Sequence, residues 1–182
     1  MTQQEIITNL TEKYLPHIIN LRRTIHKHPE LSNEEQDTAA LLAGELKALG
    51  FDVRENIAGG YGVSALLKGN HPGPTVALRT DMDALAVQED TGLSFASETE
   101  GKMHACGHDA HMAILIGTAS VLADMKPAIR GNILFICQPA EENAPTGGAK
   151  AIVAAGLLDG VAAVYGLHVW PALPTGTVGV RT

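Results

Sequence analysis

The sequence lacks several features that would indicate other classes of protein. Nowhere do 18 uninterrupted apolar residues occur, and no basic start followed by an apolar run marks a secretory signal. Lysine and arginine number 13 against 20 aspartates and glutamates, so the excess of positive charge that nucleic-acid binding requires is missing. The two cysteines, Cys106 and Cys137, allow one disulfide at most and favour a reducing compartment. We therefore expect a cytoplasmic protein with neither a nucleic-acid nor a membrane partner.

The patterns that are present are typical of an α/β domain. At 182 residues the chain is long enough to bury a core without disulfide bonds. The apolar spacing of the first 50 residues predicts two helices. The first ends at His28-Pro29, and the second extends from an N-cap at Ser32 or Asn33 to Gly50. The N-terminal quarter is therefore predicted to be helical.

The rest of the chain alternates between strand-like and helix-like segments. These segments are strands at 51–55, 62–69, 74–81, 132–139 and 160–170, and helices at 109–125 and 147–158. The first three strands look like neighbours, and Asp109 is a candidate N-cap for the helix that follows them. Such alternation predicts an α/β fold with a mostly parallel mixed sheet and helices on both faces. Ligands of such sheets bind at the C-terminal ends of the strands.

Side chains that can bind metal ions are concentrated between residues 102 and 112, in the ligand-rich segment KMHACGHDAHM. Cys106 and His108 are two residues apart, so they cannot share a helix face, but both can point inward from a turn that Gly107 permits. A lone cysteine or histidine is more often a packing residue than a ligand. A thiolate and an imidazole beside carboxylates suit zinc and also admit manganese, cobalt or nickel. A nucleophilic Cys106/His108 pair is a weaker alternative, because no third group is evident to orient it.

Acidic residues follow two of the predicted strands. Glu141 and Glu142 would repel each other beyond a buried strand unless a positive charge lay beside them. One could then ligate a metal while the other accepts a proton from water, whereas an exposed loop with two surface acids is the alternative. Asp81 and Asp83 leave the same face of a strand end, where they suit either a turn or the orientation of a metal-bound imidazole. Their spacing does not choose between these two roles.

Other candidates carry less weight. His111 either supports the site through a hydrogen bond or simply packs, and Cys137 is expected to be a buried, inert thiol. His17, His26 and His71 are expected to be surface or packing residues. His168, by contrast, closes a predicted strand and can join the site at the sheet edge.

Five ordered segments of this chain resemble one family of enzymes. They are LRRTIHKHPELSNEE, LRTDMDAL, MHACGHDAHMA, QPAEE and GLHVWP, and the resemblance extends from Leu21 to the end of the chain. The family comprises amidohydrolases such as hippurate hydrolases, N-acyl-amino-acid and N-acetyldiaminopimelate deacetylases, and plant auxin-conjugate hydrolases. They are relatives of aminoacylase and carboxypeptidase G. The resemblance implies a zinc-peptidase-like catalytic domain.

The resemblance also implies a role for particular residues. Cys106 would bridge two divalent metal ions, and the other ligands would be His108, Glu142 and His168. Glu141 would be the general base, and Asp83 matches an aspartate that orients a ligand. Asp81 stands where peptidase relatives carry a ligating histidine, so its role stays open. The implied reaction is hydrolysis of the amide bond of an N-acyl amino acid by a metal-activated water.

Members of this family are longer than the present chain. Residues 1–182 therefore resemble the N-terminal part of the catalytic domain, with the lid or dimerisation domain and the C-terminal catalytic segment absent from this chain. The expected partner is a small N-acyl amino acid, and the full-length form is expected to be a homodimer. The competing interpretation is a catalytically silent metal-binding or interaction fragment.

Overall fold

The computed structural model describes residues 1–143, 145 and 147–180 and confirms the α/β class. The helices are α1 (Gln3–Lys27), α2 (Gln36–Ala48), α3 (His108–Asp124) and α4 (Gly148–Ala154), with a 3₁₀ turn at Lys126–Ala128. The strands are β1 (Asp52–Ile57), β2 (Gly62–Lys68), β3 (His71–Asp81), β4 (Arg130–Gln138) and β5 (Val161–Gly166). Among the described residues, no helix combines the length and the apolarity needed to cross a bilayer.

The five described strands form one mixed sheet in the order β1-β2-β4-β3-β5. β3 pairs in parallel with both β4 and β5, whereas β2 pairs antiparallel with both β1 and β4. The prediction that the first three strands are neighbours is correct for β1 and β2 but wrong for β2 and β3. β4 lies between them because its run Ile133–Cys137 is apolar on both faces and is buried best at the centre of the sheet.

Helices cover both faces of the sheet, as predicted. Phe135 of β4 is fully buried on the face that α1, α2 and α3 cover, and it stacks on Phe51 with ring centroids 5.3 Å apart. On the opposite face Leu134 and Ile136 pack against Ile152 of α4. Alternate residues of one strand thus belong to two different cores, as the period of a strand requires.

Two predicted helix N-caps are wrong, because a tertiary contact takes each side chain elsewhere. α2 begins after Glu35 rather than after Ser32 or Asn33, and the Ser32 hydroxyl instead donates to Asp83 at 2.6 Å. Asp109 lies inside the first turn of α3, and the N-cap position is Gly107 with a φ of 85°. A left-handed conformation of this kind favours glycine, and it turns the chain from the ligand-rich segment into α3. The predicted bounds of α4 and β5 were also too long.

The carboxylate of Asp109 joins α3 to α1. It is fully buried and its Oδ2 accepts from Arg22 at 2.7 Å and pairs with His26 Nδ1 at 2.8 Å. His26 also pairs with Glu89 through its other ring nitrogen. His26 is therefore buried and paired with two carboxylates, so of the two predicted roles, surface or packing, the packing role applies. His17 and His71 are exposed, as expected.

Candidate metal centre

The predicted site residues lie at the carboxyl-terminal edge of the parallel part of the sheet. Asp81 pairs with Gln138 in the β3–β4 register, so the two strands end side by side. The acidic turn, which is formed by Glu141 and Glu142, follows β4, and His168 follows β5 by two residues. Helix α3 begins at the same edge. The structure therefore brings together segments that are far apart in sequence, because parallel strands share their ends.

Three of the predicted ligands form a compact group. The Sγ of Cys106, one ring nitrogen of His108 and one carboxylate oxygen of Glu142 all lie within 4.8 Å of one another. The separation between His108 Nε2 and Glu142 Oε1 is 3.6 Å. The fourth predicted ligand adjoins them, because His168 Nε2 lies 3.4 Å from the Cys106 Sγ. His168 thus joins the group through its contact with Cys106.

The orientation of His108 leaves a lone pair directed at the acids. Its Nδ1 lies 2.8 Å from the backbone oxygen of Asp83, and since that oxygen only accepts, Nδ1 carries the proton. Nε2 then faces Glu142 at 3.6 Å and Glu141 at 3.9 Å. Burial alone would lower the pKa of His108, but the carboxylates of Asp83 and Asp81 outweigh it and raise that pKa.

Asp83 is buried behind these groups and contacts three different segments. Its Oδ2 accepts from the Ser32 hydroxyl at 2.6 Å and from the backbone nitrogen of Glu142 at 2.9 Å. Burial would raise its pKa, but the hydrogen bonds from His108, Ser32 and the acidic turn lower it to about 2. Asp83 therefore stays ionised and holds His108 and the acidic turn in position.

The acidic turn is held from a second side by Glu35. This side chain is fully buried, and its Oε1 accepts from the backbone nitrogen of Ala140 at 2.6 Å. Ala140 adopts a φ of 52°, a left-handed conformation that is unfavourable for a residue with a Cβ. The contact thus stabilises a strained residue directly before Glu141. Sequence reasoning missed Glu35, which reads as one acid among several at the start of a helix.

The thiol of Cys106 is protonated in the metal-free chain. Burial and the carboxylates of Glu142 and Glu141 raise its pKa to about 12. A thiol in that state is a poor nucleophile, and its hydrogen-bond contact with an imidazole is to His168 Nε2 at 3.4 Å. The structure therefore gives no support to a Cys106/His108 nucleophilic pair. A cation placed among these acids would reverse the electrostatics and favour the thiolate.

Asp81 and His111 form a second buried group whose role the sequence left open. Their side chains are 2.7 Å apart, and together with His108 they offer ligand atoms within 4.8 Å of one another.

His104 is the other residue that sequence reasoning missed. It is 3% exposed, neither ring nitrogen has a partner among the described residues, and burial lowers its pKa to about 4. Its place in the ligand-rich segment was the available signal.

The residues present fit divalent metal ions. Glu142 Oε1 is buried, has no hydrogen-bond partner among the described residues and lies 3.6 Å from His108 Nε2. An unpaired buried carboxylate oxygen is costly without a positive charge nearby. A thiol, imidazoles and carboxylates together suit a borderline-soft ion such as zinc. The roles predicted for Glu141, Asp83, Cys106, His108, Glu142 and His168 stay predictions.

Comparison with known proteins gives consistent matches. Residues 77–182 match the peptidase family M20/M25/M40. The chain is 47% identical over 164 residues to thermostable carboxypeptidase 1 of Saccharolobus solfataricus, which covers 90% of this chain and 42% of that protein. It is 43% identical over 180 residues to an N-acyl-L-amino acid amidohydrolase of Geobacillus stearothermophilus, covering 99% and 48%.

A solved structure shares the fold. The crystal structure of a Bacillus subtilis dinuclear metal binding peptidase from the M20 family superimposes with a TM-score of 0.88 at 44% sequence identity. The match covers 93% of this chain and 47% of that one. The chain spans less than half the length of these relatives.

Proposed function

The chain belongs to the M20/M25/M40 peptidase family of metal-dependent hydrolases, and on this basis we propose that it carries most of a dinuclear metal centre for amide hydrolysis. The observation that carries the proposal is the convergence of Cys106, His108 and Glu142, whose ligand atoms lie within 4.8 Å of one another. His168 lies beside Cys106 and is the proposed fourth ligand. Cys106, half-buried between the other ligands, is the proposed bridge.

The proposed chemistry divides between the ions and the chain. Two bound divalent ions would polarise the scissile carbonyl and lower the pKa of water. Glu141 is the proposed general base, because its carboxylate is 39% exposed and so can reach a water at the mouth of the site. Glu141 would take the proton from that water and return it to the leaving amine. Asp83 keeps His108 in its ligating tautomer throughout.

The proposed substrate class is the N-acyl amino acid. The support comes from relatives: one is an N-acyl-L-amino acid amidohydrolase, and others are carboxypeptidases or deacetylases of N-acetylcysteine. Cleavage of the amide would release a carboxylate and a free amino acid. The preference for a particular acyl group and amino acid depends on parts of the binding pocket that residues 1–182 do not supply.

We further propose that residues 1–182 form the N-terminal part of a catalytic domain whose C-terminal catalytic segment and lid or dimerisation domain lie outside this chain. The support is that the relatives are more than twice as long as the segment they share with it. The competing proposal is a silent metal-binding fragment. Such a fragment would bind metal at the same site but would not turn over substrate.

The first test measures the metal content of the purified chain by elemental mass spectrometry. After loading with zinc or manganese, we expect near-stoichiometric metal in the parent and a loss of it in both Cys106→Ala and Glu142→Ala. Glu12→Ala, an exposed acid on α1, is the matched control and should retain its metal. A folded parent that binds no metal contradicts the proposed centre.

The second test separates enzyme from fragment. The metal-loaded chain is incubated with N-acetyl amino acids and the release of free amino acid is measured, with Glu141→Gln as the paired variant. Hydrolysis that depends on Glu141 supports the amidohydrolase. Stoichiometric metal with no hydrolysis above the metal ion alone favours the fragment.

A further inference from the structure

We propose that His111 is a positioning residue that ties the His168 segment to the sheet, and that it does not itself bind metal. This inference rests on the proposed metal centre. His111 lies on α3 one turn after His108 and is 2% exposed. Both of its ring nitrogens make hydrogen bonds within the protein.

The hydrogen bonds define the tautomer of His111. The backbone nitrogen of Val169 lies 3.0 Å from His111 Nε2, and a backbone N–H can only donate. Nε2 is therefore the acceptor and Nδ1 carries the proton, which it donates to Asp81 Oδ1 at 2.7 Å. No lone pair of the ring is left for a metal ion.

Asp81 provides a fixed anchor for this ring. It is 3% exposed at the end of β3, and its Oδ2 accepts from Arg79 at 2.8 Å. Arg79 also donates to Gln138 at the end of β4. The imidazole of His111 therefore connects the buried ends of two parallel strands to the segment after β5.

His168 needs such a connection because its own segment has little other support. It lies beyond the end of β5, in irregular and exposed chain. Its Nδ1 donates to the backbone oxygen of Val169 at 2.6 Å, which leaves Nε2 facing Cys106 at 3.4 Å. The Val169 residue is thus held at its N–H by His111 and fixes the ring of His168 through its carbonyl.

The backbone of Gly107 makes room for the same contact. A Cβ built on Gly107 would lie 2.3 Å from Cγ2 of Val169, so any other residue there would push the segment away. The His111 and His168 rings also meet edge to face, with centroids 4.9 Å apart. Close packing and one hydrogen bond together place His168 over the ligand-rich turn.

The competing assignment is that His111 is a ligand. Asp81, His108 and His111 do offer atoms close enough to hold an ion. The two hydrogen bonds favour the positioning role, because an ion at either nitrogen of His111 would have to displace Asp81 or Val169.

The test uses two substitutions that each keep one of the two hydrogen bonds made by the His111 ring. In His111→Asn the amide reproduces the donor to Asp81 and loses the acceptor for Val169. In His111→Gln the amide oxygen reaches the position of Nε2 and keeps that acceptor. His17→Asn, an exposed histidine on α1, is the matched control. Circular dichroism confirms that each variant is folded.

Two measurements distinguish a positioning role of His111 from a role as a metal ligand. Hydrogen exchange at the Val169 amide should speed up at least 10-fold in His111→Asn and stay near the parent value in His111→Gln. In a cobalt(II) titration, His111→Asn should bind the same number of ions as the parent with an affinity about 10- to 100-fold lower, as for other residues that orient ligands. His111→Gln should fall between the two.

Other results overturn the proposal. Loss of one cobalt ion in both variants, with the Val169 amide still protected, would make His111 a ligand. An unprotected Val169 amide in the parent would show that the tether does not form. If the parent binds no cobalt, the proposed metal centre fails, but the exchange rates in the three proteins still decide whether His111 holds the segment.

Discussion

The carboxylate of Asp83 accepts a hydrogen bond from the backbone nitrogen of Glu142 at 2.9 Å, across 59 residues of sequence. The same oxygen accepts from Ser32, and the backbone oxygen of Asp83 accepts from His108. Asp83, two residues beyond β3, therefore holds the acidic turn through its side chain and the imidazole of His108 through its backbone oxygen. The ionisation of Asp83 is therefore linked to the stability of the sheet edge that carries the proposed site.

The first prediction concerns acid stability. Because the folded pKa of Asp83 is about 2 and its ordinary value is 3.8, the ionised carboxylate stabilises the fold above pH 4 and loses that contribution as the pH falls toward 2. The shift corresponds to roughly 2 kcal/mol at neutral pH. Asp83→Asn should flatten the decline of the free energy of unfolding below pH 4.

Urea denaturation of the metal-free chain at a series of pH values measures this effect. Asp90→Asn, which changes an exposed aspartate, is the control and should keep the parent's pH dependence. Parallel curves for the parent and Asp83→Asn would mean that Asp83 is not the group linked to folding.

The second prediction concerns the reactivity of Cys106. With a pKa near 12 in place of 9.0, its thiol should react with iodoacetamide at pH 8 about 30-fold more slowly than an ordinary cysteine, since a higher thiolate nucleophilicity offsets part of the lower thiolate fraction. Glu142→Gln should speed the reaction, because it removes a carboxylate that raises this pKa.

Mass spectrometry of the alkylated peptides measures the rate at one site. Cys137 serves as an internal control, because it is fully buried and should stay unmodified in the folded chain. A rate at Cys106 equal to that of a free thiol would contradict the electrostatic argument.

The third prediction concerns Glu35. Burial raises its pKa above the ordinary value of 4.5, with the hydrogen bond from Ala140 opposing that shift. A raised pKa in the folded state means that the residue destabilises the fold increasingly as the pH rises from 4.5 through the folded pKa. The parent should therefore lose stability relative to Glu35→Gln as the pH rises across that window.

Removal of the side chain should act differently from neutralisation. Glu35→Ala leaves the backbone N–H of Ala140 unpaired and should lower the free energy of unfolding by about 1–3 kcal/mol at pH 4, and by less at pH 8 because it also removes the titrating carboxyl. Thermal unfolding of the parent and both variants at pH 4 and pH 8 measures the two effects. A difference between parent and Glu35→Gln that does not change with pH would refute the linkage.

The fourth prediction compares two ion pairs that join α1 to α3. Asp109 is fully buried against Arg22 and His26, so Asp109→Ala leaves buried groups unpaired and should destabilise the fold by about 3 kcal/mol. Lys13 and Asp124 form an exposed pair between the same helices, and Asp124→Ala should change stability little. Chemical denaturation of both variants gives the comparison, and equal losses would rule out burial as the cause.

Much of the site was predictable from residue type and position alone. The apolar run of β4 and the residues after it placed Glu141 and Glu142 at a strand end, and the Gly107 turn placed Cys106 and His108 next to each other. These inferences succeed because ligand types and strand periodicity are local properties of the sequence. The order of the strands was less accessible, since β4 enters between β2 and β3 through contacts that no local pattern encodes.

The sequence by itself determined the α/β class, the edge at which the site lies and the set of candidate ligands. Only the tertiary structure decided which buried groups hold those ligands: Glu35 at Ala140, Asp83 at Glu142, and His111 at Val169. Ser32 and Asp109 show the physical reason. Each is a good helix cap when its local sequence is considered alone, but a hydrogen bond to a buried partner far along the chain takes its side chain away. Such long-range bonds depend on how the elements pack, and the sequence pattern of either partner does not reveal them.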